Sequence, residues 1–152
     1  MTRTIDEYVN VEPRFTPQEN QIFFRKIWNP GADIYSMDIE GAQANSVIKG
    51  DVEDFALSPS GDKLAFSARP PYITVEDKIA LLISDTRGKG LKMLTNYTNK
   101  DTRPCWSNDN KKIVFMRGEA EGAEIYIVPE NQATLQRLTR NNSYDGDPVW
   151  QP

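Results

Sequence analysis

Apolar and polar residues alternate along most of the chain in short runs, and the same run returns at intervals. "DFALSPSGDKLAF" (54–66) reads as a strand, a tight turn and a second strand. "EPRFTPQENQIFF" (12–24) and "RPCWSNDNKKIVF" (103–115) repeat that plan, and "DPVWQP" (147–152) begins it again. The anchors Phe15, Leu57, Trp106 and Trp150 stand 42, 49 and 44 residues apart. Each precedes a small or polar residue and then Pro17, Pro59, Asn108 or Pro152. A second phrase follows in each unit: "ADIYSMDIEG", "DKIALLISDTRG" and "AEIYIVPEN". A third closes it; "LKMLTN" and "LQRLTR" match well, and "NSVIKG" poorly.

Period-two alternation with β-branched and aromatic residues predicts short antiparallel strands. Each unit therefore reads as strands A, B, C and D, with tight A–B and C–D turns and a longer B–C loop. In "EIYIV", Ile125 and Ile127 share one face and Tyr126 and Val128 the other. A strand apolar on both faces belongs in a sheet packed between two other sheets. Four strands recurring every 40 to 50 residues are the signature of propeller blades. Kelch and leucine-rich repeats differ in period or in their glycine and leucine patterns, and no helical periodicity is present.

The fold class is therefore all-β: β-propeller blades of four antiparallel strands in a single domain, 1–152. Blade one covers about 11–50, blade two 53–96 and blade three 102–140, with a partial fourth A strand at 147–152. In the A–B turns proline fits an early position through its fixed φ. Gly61 fits the left-handed position, with Asn20 and Asn110 as its expected substitutes.

Composition narrows the function. The 152 residues carry 18 basic and 22 acidic side chains, a net charge of −4, with no basic run to hold nucleic acid or an anionic membrane. No segment has the length of a membrane span or a signal-peptide core, so the literal reading is cytoplasmic; it becomes periplasmic if Met1 is not the native start. Histidine is absent, which excludes Ser-His-Asp and Cys-His sites and His-ligated metals within this chain. No cofactor or metal is expected. The lone Cys105 reads as a small buried apolar residue.

The phrases "RPCWSNDNKKIVF", "EIYIV" and "LQRLTRNNSYDGDPVW" resemble the repeat of TolB-type β-propellers, whose pattern is Pro-x-Trp-Ser-Pro-Asp-Gly-Lys-x-Ile-x-Phe. Blade one departs from it, with Phe15 for tryptophan and "QENQ" for the turn; Asn108 replaces the proline in blade three. The resemblance implies a bacterial family. Its members are periplasmic partner-binding proteins of the Tol system, gating domains fused to serine peptidases, and sugar lyases. No hydrolase domain is present, and the lyases' metal sites contain histidine, so protein binding is what remains.

Three blades fall short of the four to eight that close a ring. They leave two apolar sheet faces bare, which predicts association. A twofold homodimer gives six blades, the number typical of the family.

Recognition is expected on the loop side of the disc, which holds the B–C and D–A connections. Its segments "WNPGA", "RPPYITVED", "RGEAEGA", "TNYTNKD" and "TRNNSYDG" supply Trp28, Tyr72, Tyr97 and Tyr144, with Arg69 and Arg103 beside them. The blander reading packs these aromatics over the blade tips. Trp106 and Trp150 read as blade-core packing, and Asp51, Glu53 and Asp54 as the solvated start of a strand, with a central tunnel or cation as the alternative. "NNSYDGDP" lacks the glutamate-terminated loop of a calcium site. "NYT" and "NNS" fit the glycosylation triplet, and "GKG" lacks a phosphate-loop context. The function expected is a non-enzymatic protein-interaction scaffold that self-associates. The alternative is a carbohydrate- or peptide-processing enzyme using carboxylates in a central pocket.

Overall fold

A computed structural model describes residues 8–41, 43–70, 78–119, 122–141 and 143–150. They form three four-stranded antiparallel sheets in simple chain order, and no helix occurs among them. The first sheet holds β1 (Val9–Phe15), β2 (Gln21–Trp28), β3 (Gly31–Asp38) and β4 (Asn45–Ile48). The second holds β5 (Val52–Leu57), β6 (Lys63–Ala68), β7 (Ala80–Asp85) and β8 (Lys92–Met93). The third holds β9 (Asp101–Trp106), β10 (Lys112–Arg117), β11 (Glu124–Pro129) and β12 (Gln136–Arg137). These are the A to D strands of three propeller blades.

The A–B turns owe their shape to one hydroxyl in each. Ser58 Oγ accepts the Lys63 N–H at 3.0 Å and Ser107 Oγ accepts the Lys112 N–H at 2.9 Å. Thr16 Oγ1 accepts the Gln21 N–H at 3.3 Å. All three hydroxyls are buried, and Ser107 also donates to Asp109 at 2.6 Å. The small residue after each anchor therefore satisfies a backbone donor that the turn would leave open. Ser107→Ala removes that acceptor and should cost about 1 kcal/mol of unfolding free energy, read by urea denaturation.

The left-handed position holds Gly61 (φ 77°) and Asn110 (φ 60°), but in blade one it holds Glu19 (φ 53°), not Asn20. The turn's hydrogen bonding sets that position by counting from Thr16, and Asn20 instead accepts the Thr16 hydroxyl at 2.9 Å. A second difference lies in "WNPGA". Trp28 pairs with Gly31, so the first B–C connection is a two-residue turn rather than a long loop. A Cβ on Gly31 would stand 3.2 Å from the Trp28 ring, so the glycine lets the indole lie across the turn.

Blades pack face to face. Between blades one and two, Phe23 and Ile34 meet Val52, Phe55, Leu64 and Phe66. Between blades two and three, Ala65, Leu81, Ile83 and Leu94 meet Trp106, Ile113, Phe115 and Val128. Leu64 and Phe66 thus face backward while Ala65 faces forward, the two-sided apolarity that alternate residues of β6 require. Trp150 departs from the expected core packing, and Phe15, at the same repeat position, is uncovered as well. Phe15 is 61% exposed and Trp150 37%, against 3% for Trp106. No described blade precedes Phe15 or follows Trp150. Residues 147–150 form no strand, and Cys105 is half-buried rather than enclosed.

Candidate functional site at the channel mouth

Neighbouring A–B turns are stitched together: Gln18 Nε2 donates to Ser60 O at 3.2 Å, and Asn110 Oδ1 accepts the Ser60 N–H at 3.0 Å. The A strands consequently line one arc, and a cleft of about 660 Å³ opens along it. Its wall combines the later halves of β1, β5 and β9 with residues 147–149.

Three residues before each anchor the repeat places one charged side chain: Glu12, Asp54, Arg103 and Asp147, and all four line the cleft. Glu12, Arg103 and Asp147 have left-handed φ of 55°, 56° and 53°, each just before a proline. Proline disfavours the right-handed helical region for the residue ahead of it. In all three blades the A–B ladder slips near this point, between Val11 and Arg14, Val52 and Asp54, and Thr102 and Cys105. Such bulges re-aim side chains.

The charges are largely paired. Arg25 of β2 grips Glu12 with Nε and Nη2, at 3.0 and 2.9 Å, and donates from Nη1 to Val52 O at 2.9 Å, tying blade one to blade two. Arg103 pairs with Asp147. Asp54 accepts the Arg103 N–H at 3.3 Å. Burial pushes the Asp54 carboxyl above its usual range, and the Glu12 carboxylate adds to this. The Arg103 N–H and the charges of Arg25 and Arg103 oppose the shift.

A raised carboxyl value means that the folded state holds the proton more tightly than the unfolded one. Asp54's contribution to stability is thus present below the unfolded value and is lost as pH rises through the folded one. Asp54→Asn keeps the acceptor without the charge. It should therefore stabilise the chain at pH 7, with the gain vanishing below about pH 4, read by urea unfolding at both pH values.

Five of the six residues expected to form a recognition face lie among the described residues, each with its own neighbours. Trp28 lies across its turn and is 42% exposed. Arg69 pairs with Asp51 at 3.1 Å and with Glu53, which gives those two carboxylates a partner at the start of strand A. Tyr97 packs partly on the core between blades one and two, and burial raises its phenol above the usual range. Arg103 lines the cleft. Tyr144 donates its hydroxyl to Met116 Sδ at 3.3 Å. Tyr72 lies outside the described residues.

Glu12 and Asp147 escaped the sequence reading, and Asp54 entered it as a solvated strand start with the central tunnel as the alternative; Asp54 lines the cleft. Their shared position before the anchor was the available signal. In "NNSYDGDP" the oxygens bond within the protein: Asn141 Oδ1 accepts the Ser143 N–H at 2.7 Å, and Asp145 Oδ2 accepts from Asn141 Nδ2 at 2.7 Å.

Residues 9–152 match the family described as the TolB beta propeller domain. The chain belongs to that family. A TolB homolog of Chlorobium chlorochromatii is 28% identical over 136 residues, covering 88% of this chain and 29% of the homolog. Dipeptidyl-peptidase 5 of Porphyromonas endodontalis is 32% identical over 78 residues, covering 50% of this chain and 11% of the peptidase. The crystal structure of TolB from Acinetobacter baumannii superposes with a TM-score of 0.78 at 21% identity, over 97% of this chain and 36% of that one. This TolB-family chain therefore spans less than a third of either of these two curated relatives.

Proposed function

We propose that this TolB-type propeller segment is a non-enzymatic protein-interaction module. Partners dock on the loop side around the channel mouth, and copies self-associate through their open blade faces. The observation that carries the reading is the pairing of the cleft charges: Glu12 is held by Arg25 and Asp147 by Arg103. Clamped charges are suited to fixed electrostatic complementarity with a partner and poorly suited to proton shuttling. Trp28, Arg69, Tyr72, Tyr97, Arg103 and Tyr144 are the proposed contacts. Kinship with TolB favours the periplasmic alternative and gives the cytoplasmic reading no support.

Immobilised chain should capture a discrete protein from an envelope extract of its source cells. A Trp28→Ala, Arg69→Ala, Tyr97→Ala variant should lose at least about tenfold of that affinity. Undiminished capture by the folded variant contradicts the proposed face.

A second reading has one observation of its own. Asp54 is a carboxyl with raised proton affinity in a cleft, in a chain that partly matches a dipeptidyl-peptidase. It requires turnover of peptides or oligosaccharides that Asp54→Asn abolishes. No turnover by the folded wild-type chain retires it.

A further inference from the structure

The two seams between blades differ at their outer edge, and one repeat position sets the difference. Gly88 and Gln132 stand at the same place in the C–D turns of blades two and three. Both have left-handed φ, 74° and 63°. Each donates its N–H three residues back, Gly88 to Asp85 O at 3.0 Å and Gln132 to Pro129 O at 2.9 Å. Between blades one and two the turn closes on the neighbouring strand: a Cβ on Gly88 would stand 2.2 Å from Val47 O of β4. Between blades two and three the Gln132 side-chain amide instead reaches across to donate to Met93 O of β8. Met93 and Val47 correspond in the closing phrases "LKMLTN" and "NSVIKG". A side chain thus stands between the blades where the other seam has backbone contact. A groove of about 480 Å³ opens there, within the size range of ligand sites.

The groove's polar groups are mainly uncharged amides. Asn96 and Asn99 line it with Gln132, and Met93 and Leu135, 43% and 40% exposed, supply its apolar part. Arg117 lines it too, but Asp101 takes its Nε at 2.6 Å and its Nη2 at 2.8 Å and neutralises it. The Asn99 side chain has no hydrogen-bond partner among the described residues, while its main-chain oxygen is fixed by the Ile79 N–H at 3.0 Å. Asn96 Oδ1 accepts the Thr98 hydroxyl, and the Asn96 side-chain N–H groups have no partner among the described residues. A carboxamide donates and accepts at once, as a peptide unit does, so it matches an extended main chain on both counts. Recognition of this kind takes affinity from main-chain bonds and specificity from pockets for alternate side chains. Sugar rings stack on aromatic faces, and no aromatic ring is among the groove's described lining residues.

We propose that the outer groove between blades two and three binds an extended, uncharged segment of a partner protein. The carboxamides of Asn96 and Asn99 bond its main chain, Met93 and Leu135 pack against one of its aliphatic side chains, and Gln132 holds the groove open. The inference rests on the interaction reading for the class of ligand and adds a second contact away from the channel mouth. Both walls belong to blades two and three, which are packed on each other through a filled core.

The probe is a pool of acetylated, amidated hexapeptides drawn from Ala, Ser, Thr, Val and Leu. It is titrated into the isotope-labelled full chain to about 5 mM, which reaches millimolar affinities. The side-chain amide signals of Asn96, Asn99 and Gln132 and the Met93 methyl signal should shift together, while the backbone signals of Glu12 and Asp54 in the cleft stay in place. Gln132→Gly installs the residue that blade two carries at the same left-handed φ, so the fold is kept. It should let the seam close and weaken the pool's apparent affinity at least about tenfold. Asn99→Ala keeps its main-chain bond and should weaken it about fivefold. Groove signals that do not move, or a Gln132→Gly variant that binds like wild type, overturn the inference. So does a chitin tetrasaccharide that shifts these signals when the peptides do not, which would give the groove to glycans. Capture of an envelope protein by a chain whose groove ignores the peptides sinks this inference and leaves the interaction reading standing. Groove binding by a chain that captures nothing does the reverse.

Discussion

Trp106→Ala should lower the unfolding free energy by about 3–5 kcal/mol, the range for deleting a buried aromatic side chain. Trp106 is 3% exposed and sits in the seam between blades two and three with Leu81, Ile83, Ile113 and Phe115. Its removal opens a cavity where two sheets meet, and neither can close it without shifting a whole blade. The controls are built into the repeat. Trp150→Ala, at the same repeat position, should change stability by less than about 0.5 kcal/mol, because its side chain lies outside any described seam. Trp106→Phe should cost far less than alanine. The buried indole N–H has no hydrogen-bond partner among the described residues, so phenylalanine removes an unsatisfied donor along with the lost area. Urea unfolding of the three variants orders these effects.

Asp101→Ala should be comparably damaging, at about 3–5 kcal/mol, because it strands a charge. Asp101 is fully buried, and its carboxylate accepts from Arg117 Nε at 2.6 Å and Nη2 at 2.8 Å. The guanidinium lies 4.8 Å from the centre of the Tyr126 ring. Asp101 also donates its N–H to Ile79 O at 3.0 Å, so the residue joins the strand-C side of blade two to strand A of blade three. Removing the carboxylate leaves Arg117 with its largest favourable interaction gone. Replacing both partners, Asp101→Leu with Arg117→Met, should recover much of the loss, since a buried pair costs desolvation that apolar residues do not. Equal instability of the single and double variants would mean that shape rather than charge decides at this site.

Strand number and sheet order were legible in the sequence because alternation and turn chemistry are local. The burial of equivalent residues was not. Phe15 and Trp106 are the same position in the repeat, yet burial depends on a neighbouring blade dozens of residues away: blade two covers Trp106, and Phe15 is 61% exposed. The same non-locality hid the pairings of Arg25 and Arg69, whose partners Glu12, Asp51 and Glu53 lie in or just before A strands, 13 to 18 residues earlier in the chain.

The cleft position was visible as a register and missed as a chemistry. Its occupants are a glutamate, two aspartates and an arginine, so no single residue type repeats. Only the backbone turn before the proline is shared, at Glu12, Arg103 and Asp147. Asp54 precedes Phe55 instead and does not adopt it.

Hydrogen exchange on the full chain, with and without the protein captured from envelope extract, tests the interaction account most directly. The account predicts new protection on the loop side, at the Trp28 turn, at 95–104 and at 143–150, with the A–B turns at 58–62 and 107–111 unchanged. Protection confined to those A–B turns and to the C–D turns at 86–91 would contradict it.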